Sequence, residues 1–176
     1  MKSYLLPISL CTLLIATASS RTASSGELQA TIEIPQLDVA EYHRPYLAVW
    51  IETPDRKIAT HIAVWYDTEM KDKEGETWLK DLRQWWRKGG RSLTLPLDTV
   101  SGPTRPVGEH QITVSLDSDK LKNLAPGPYI FVVEASREVG GREMLRLPFE
   151  WSDKPNVEAS AEGETELGKI SLTIKS

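Results

Sequence analysis

The sequence predicts an all-β protein, an antiparallel immunoglobulin-like β-sandwich with one inserted helix. Seven segments either alternate polar and apolar residues or are rich in β-branched and aromatic residues, as strands are. Turn-forming residues separate most of them, and the spacing lacks the long helical crossovers of a parallel sheet. Short strands separated by turns in this way are typical of β-sandwiches.

The first three predicted strands cover residues 27–35, 45–53 and 58–67. The first alternates regularly, which indicates one buried face. A short turn-forming stretch joins the second and third, so these two form a hairpin. Each carries a tryptophan near its end, Trp50 and Trp65. The two rings could form a carbohydrate-stacking platform, but in such apolar strands we expect them in the core.

Four further strands are predicted over residues 109–116, 127–136, 142–151 and 169–175. The second and third of these flank a Gly-Gly pair, which supplies the positive φ angles that a tight hairpin needs. Residues 152–166 are acidic and have few large apolar side chains. This composition predicts a flexible connector before the last strand.

Residues 76–88 interrupt the strand pattern and predict a helix. Their apolar residues have helical spacing, Thr77 could cap the start, and two glycines follow the end. One interpretation is that the helix covers an open end or face of the sandwich as a satellite core. The other is that at least one of its rings lines a site for a planar ligand. The three tryptophans concerned are Trp78, Trp85 and Trp86.

The N-terminal residues predict a secretory signal peptide over residues 1–18. Lys2 precedes an apolar stretch that is shorter than the roughly 20 residues of a membrane span. Ala16-Thr17-Ala18 then has the small-x-small pattern of a cleavage site. Cleavage after Ala18 would leave one exported β-sandwich domain, residues 19–176.

The mature chain would lack the only cysteine, Cys11, which excludes internal disulfides and thiol catalysis. Loss of Lys2 would take the formal charge from −4 to about −5, which argues against nucleic-acid binding. The histidines have no metal-ligand spacing, and no nucleophile elbow or phosphate-binding glycine loop is found. We therefore predict no metal site and favour a carrier or binding protein over an independent enzyme.

The stretch Asp98-Thr-Val-Ser-Gly-Pro-Thr104 resembles the acceptor motif of exported flavin-carrying proteins, Asp-x-x-Ser/Thr-Gly-Ala-Thr. In that group a flavin transferase splits FAD and joins FMN through its phosphate to the last threonine. The resemblance implies that Thr104 is the acceptor and that the transferase reads Asp98, Ser101 and Gly102. Pro103 departs from the motif, which has alanine there, and proline stiffens the local backbone.

Neighbouring residues suggest how a flavin on Thr104 would be held. Arg105 could pair with a phosphate oxygen, and one or more of Trp78, Trp85 and Trp86 of the predicted helix could border the ring. The alternative is that residues 101–106 form a rigid loop in which Thr104 is an ordinary turn residue.

Segments 42–52, 82–87, 100–106 and 133–143 together resemble an uncharacterised family of predicted periplasmic proteins, domain of unknown function 2271. The resemblance implies a bacterial periplasmic protein, often encoded near flavin transferases and PepSY-type membrane proteins thought to move electrons. It implies a redox or metal-acquisition role by association and names no catalytic residues.

Two functions follow from these observations. The first is a periplasmic electron carrier with FMN on Thr104, modified by a flavin transferase and serving a PepSY-type membrane protein. The second is a non-enzymatic binding or assembly module without cofactor. Such a module would present residues 42–46 and the 137–142 hairpin to a membrane partner or small ligand, since aromatic and arginine residues favour such contacts.

Overall fold

The computed structural model describes residues 26–176 as two β-sheets with a helical insert. One sheet has the strand order β5-β1-β9-β8 and the other the order β4-β3-β2-β6-β7. The predicted all-β sandwich is therefore confirmed, while the predicted signal peptide, with cleavage after Ala18, lies outside the described residues. The strands are β1 (Glu27–Ile34), β2 (Tyr46–Glu52), β3 (Ile58–Tyr66), β4 (Ser101–Pro103), β5 (Gly108–Ser115), β6 (Gly127–Ser136), β7 (Arg142–Trp151), β8 (Asn156–Glu162) and β9 (Lys169–Lys175).

Two apolar cores hold this fold together. The main core fills the space between the sheets, where Leu28 and Phe131 are fully buried. A second core lies where the insert packs against β2 and β3, and Trp50, Leu82 and Trp85 belong to this one buried cluster. As a result Leu47 to Glu52 of β2 are all buried, since both faces of this strand are covered. Trp50 and Trp65 are both buried, which confirms their expected place in the core.

The tryptophan-rich helical insert is confirmed, but it is divided into short pieces. Helices α1 (Glu74–Thr77) and α2 (Arg83–Lys88) are separated by a 3-10 turn over Trp78–Asp81. Leu82 ends that turn with a non-helical ψ of 69°, and its side chain is fully buried in the second core. Thr77 does not cap a helix start, because its hydroxyl donates to the carbonyl oxygen of Glu74 at 2.7 Å.

A buried carboxylate of β6 fixes the start of α2. Glu134 accepts hydrogen bonds from the backbone N–H groups of Gln84 at 3.0 Å and Trp85 at 2.8 Å. Arg142 of β7 donates to the same carboxylate through Nη1 at 2.6 Å. The first N–H groups of a helix have no intrahelical partner, so Glu134 supplies what a local capping residue would otherwise provide.

A second buried carboxylate, from β2, fixes the end of α2. Lys88 and the indole N–H of Trp50 both donate to Glu52, which is fully buried. Burial alone would raise the pKa of Glu52, but the hydrogen bonds from Lys88 and Trp50 outweigh burial and lower it. The insert is therefore joined to the five-stranded sheet at both ends of α2.

The stretch predicted as a flexible connector over residues 152–166 instead contains an edge strand, β8, paired with β9. The residues that β8 packs against the main core are the small Val157, Ala159 and Ala161, and charged or polar residues alternate with them. An edge strand needs little apolar surface, so the composition of this segment is similar to that of a flexible linker.

The stretch after Val100, considered a possible rigid loop, begins with β4, which pairs in parallel with β3. The sheet is therefore not wholly antiparallel. The helical insert connects these two strands and supplies the length that a parallel crossover needs.

Candidate functional site: a cavity at one end of the five-stranded sheet

A cavity of about 740 Å³ lies at one end of the five-stranded sheet. There β2 and β7 begin, and β3, β4 and β6 end. Its walls come from residues 42–46, the 136–142 hairpin, the insert with the end of β3, and Thr104. This volume is within the range of about 300–1,000 Å³ that small-molecule sites occupy.

Thr104 lies at this cavity. Pro103, the last residue of β4, is opposite Tyr66 at the end of β3, so the chain leaves the sheet edge at Thr104. Thr104 is half-buried and lines the cavity. A group attached to its hydroxyl therefore has open space beside it.

The rest of the acceptor-like motif forms a turn and the short strand. The Ser101 hydroxyl accepts a hydrogen bond from the backbone N–H of Leu97 at 3.0 Å. It is also hydrogen-bonded to the Tyr66 phenol. Gly102 lies beside an indole, since a Cβ at this position would be 3.5 Å from Cδ1 of Trp65. Asp98 is exposed. Ser101 therefore holds the turn, and Asp98 is accessible to another protein.

Arg105 does not line the cavity. Its guanidinium carbon lies 5.3 Å from the centroid of the Trp65 ring, a distance at which a cation–π interaction is favourable. Its predicted contact with a phosphate on Thr104 stays a prediction.

The three tryptophans of the insert occupy different environments. Trp85 is fully buried and donates its indole N–H to Nδ1 of His61 at 3.0 Å, so its place is in the second core. Trp86 is half-buried and packs against that same core. Neither lines the cavity, whereas Trp78, which is 40% exposed, does. Trp85 and Trp86 therefore belong to the satellite core of the first interpretation, and Trp78 is the ring of the insert that lines the cavity.

The cavity walls carry charges of both signs. Arg137 and Arg142 are paired with the buried carboxylates of Glu166 and Glu134. Among residues 26–176, no carboxylate pairs with Arg44 or Arg83. Three carboxylates also line the cavity, from Asp67, Asp81 and Glu138. The site thus has two unpaired guanidinium groups and is not strongly basic overall.

Among the residues that line the cavity, two buried donor atoms have neither a hydrogen-bond nor an ion-pair partner. They are the Tyr42 hydroxyl and Nη1 of Arg137, whose side chain is only 6% exposed. Burial raises the pKa of Tyr42, and the nearby charge of Arg137 only partly offsets this, so the phenol keeps its proton. A buried donor without a partner costs about 1–3 kcal/mol.

Several parts of this site were predictable from the sequence, but their position around one cavity was not. Residues 42–46 and the 137–142 hairpin, proposed as a surface for a partner, are two walls of one cavity with Thr104. Asp67, Met70 and Asp81 were missed, because single residues at a strand end and in short turns follow no pattern. In the part of the chain that the structure describes, no three metal-ligating side chains lie together.

Comparison with known families identifies the family of this chain. A family model described as "Predicted periplasmic protein (DUF2271)" matches residues 27–169. No match was found among curated proteins or among solved structures. Within residues 26–176, none of the helices has the length and apolar character to span a membrane.

Proposed function

Since this chain belongs to the DUF2271 family of predicted periplasmic proteins, we propose that it carries FMN covalently bound to Thr104. The flavin would occupy the cavity at the end of the five-stranded sheet. The observation that carries this proposal is the position of Thr104. It ends an acceptor-like motif and lines a cavity of about 740 Å³.

Attachment requires FAD and a flavin transferase. The Thr104 hydroxyl oxygen would attack the phosphorus on the riboflavin side of the pyrophosphate and lose its proton. The bond from that phosphorus to the bridging oxygen would break, and AMP would leave. Exposed Asp98 and the edge position of β4 support access for the transferase. The turn held by Ser101 and Leu97 would present the motif in a fixed shape.

The residues that line the cavity include groups that would contact a bound flavin. Met70, Trp78 and Val139 are exposed apolar side chains that could contact the ring. Arg44 and Arg83 could pair with the phosphodiester, in place of the predicted Arg105. The bound flavin would supply the electron transfer, and this chain would supply position and electrostatics. A PepSY-type membrane protein, implied by the family resemblance, would be the redox partner.

A second candidate function is a ligand-binding module without cofactor. The unpartnered donors of Tyr42 and Arg137 favour it, because they have hydrogen-bonding capacity that the protein itself does not use. This function needs no modification of Thr104. The two candidates are therefore separable by experiment.

Co-expression with a flavin transferase in a bacterial periplasm tests the flavin proposal. The purified protein should be yellow, and the colour should remain with the chain after denaturation. Thr104→Ser should keep the colour because it keeps the hydroxyl, whereas Thr104→Ala should lose it. Thr99→Ala, which removes another exposed hydroxyl of the same motif, is the matched control and should stay yellow. The proposal is contradicted if the wild type and Thr104→Ser are both colourless while the same transferase modifies a known acceptor protein.

A further inference from the structure

The hairpin wall of the cavity holds a guanidinium that is only partly used. Glu166 occupies two of the three nitrogens of Arg137, with Nε at 2.8 Å and Nη2 at 3.1 Å. The backbone of Gly140 packs on the same group, since a Cβ there would lie 2.5 Å from the guanidinium carbon. Nη1 is left without a partner, and so is the hydroxyl of Tyr42.

Both unused groups are donors, so the ligand they fit supplies an acceptor. Arginine has no acceptor atom and stays protonated, and burial keeps the Tyr42 phenol protonated as well. Arg44 lines the same cavity without a carboxylate partner among the described residues and adds a positive charge. A carboxylate oxygen is the strong acceptor for such donors.

Two further features narrow the class of ligand. Asp67, Asp81 and Glu138 also line the cavity and would repel a ligand with several negative charges, which favours a single carboxylate over phosphate. Met70, Trp78 and Val139 are exposed on the walls and offer apolar contact to the rest of the ligand.

We propose that the cavity binds a diffusible small carboxylic acid with an apolar or aromatic body, its carboxylate held by Arg137, Tyr42 and Arg44. Both unpartnered atoms lie beneath the wall surface, so the carboxylate displaces a covering side chain as it binds. The proposal depends on the cavity alone and not on a flavin at Thr104.

The test is an NMR titration of ¹⁵N-labelled Thr104→Ala protein, which cannot carry a flavin on that residue. Phenylacetate, the probe, should give saturable shifts at the amides of Gly140 and Gly141. Acetate, which lacks the apolar body, and 2-phenylethanol, which lacks the carboxylate, should bind at least about fivefold more weakly. Inorganic phosphate should also bind more weakly than phenylacetate.

Tyr42→Phe should weaken phenylacetate binding about fivefold or more. The same substitution should leave the thermal midpoint unchanged or higher, because it removes a buried hydroxyl without a partner. Tyr129→Phe is the matched control, since that hydroxyl bonds to Ala125 away from the cavity, and it should not alter binding. Arg44→Gln should weaken binding, whereas Arg91→Gln, an exposed arginine that does not line the cavity, should not.

No saturable shift with phenylacetate, or equal binding by Tyr42→Phe and the unsubstituted tyrosine, would overturn the proposal. Equal or tighter binding of phosphate or 2-phenylethanol would overturn the assigned ligand class. Either result leaves the flavin proposal intact, because that proposal is tested by modification of Thr104.

Discussion

Replacement of Glu134 by glutamine should measurably destabilise the protein, since this carboxylate joins α2 to the sheet and also pairs with Arg142. Breaking a buried ion pair by removing one partner costs about 3–5 kcal/mol. Here the loss should be smaller, because Arg142 is 32% exposed and water can solvate it once it is unpaired. The glutamine oxygen also keeps one bond to a backbone N–H. We expect a loss of about 2–3 kcal/mol in the free energy of unfolding.

Urea unfolding followed by tryptophan fluorescence measures this loss directly. For a domain of this size it corresponds to a fall of roughly 4–12 °C in the thermal midpoint. Glu158→Gln is the control, since its pair with Lys175 lies on the exposed edge strand and should contribute about 0.5 kcal/mol or less. The reasoning is wrong if Glu134→Gln stays within about 0.5 kcal/mol of the wild type.

Three further predictions concern the insert and the cavity. Burial lowers the pKa of His61 below its ordinary value of 6.5, so the free energy of unfolding should fall as the pH drops below 6.5. Urea unfolding at about pH 7.5 and about pH 5.5 measures this fall, and His61→Gln should make it smaller. An equal fall in both proteins would count against this role of His61. Gly90→Ala should destabilise by about 1–3 kcal/mol in a thermal melt, because its Cβ would lie 2.5 Å from the buried Trp85 ring, whereas Gly89→Ala, 3.3 Å from Ile58, should cost less. In flavin-loaded protein, Trp78→Ala should raise flavin fluorescence by removing an indole from the cavity, and Trp86→Ala should not; equal effects would contradict the assignment of Trp78.

The main strands could be predicted because each buries a recognisable apolar face. β8 could not, since Val157, Ala159 and Ala161 bury little area, and its charges lie on the exposed edge. β4 could not be predicted either, because a strand from Ser101 to Pro103 is too short to show a periodic pattern of apolar residues. In both cases the partner strand determines the structure, and partners are distant in sequence.

The candidate site was only partly predictable for a related reason. The motif pointed to Thr104, but the sequence alone does not reveal which tryptophan of the insert lines the cavity beside it. Trp85 and Trp86 follow the apolar period of the insert and are therefore turned toward the second core. Trp78 precedes the break at Leu82, and it lines the cavity instead. The cavity itself comes from strand ends that meet only once both β6 and β7 pair with their neighbours.

Mass spectrometry of the intact protein, followed by peptide mapping, tests the central claim most directly. Protein from a periplasm that contains a working flavin transferase should be heavier by one FMN less one water. The added mass should lie on the peptide that contains Thr104, and the Thr104→Ala chain should show none. An unmodified wild-type mass, or an FMN located on another residue, would contradict the account.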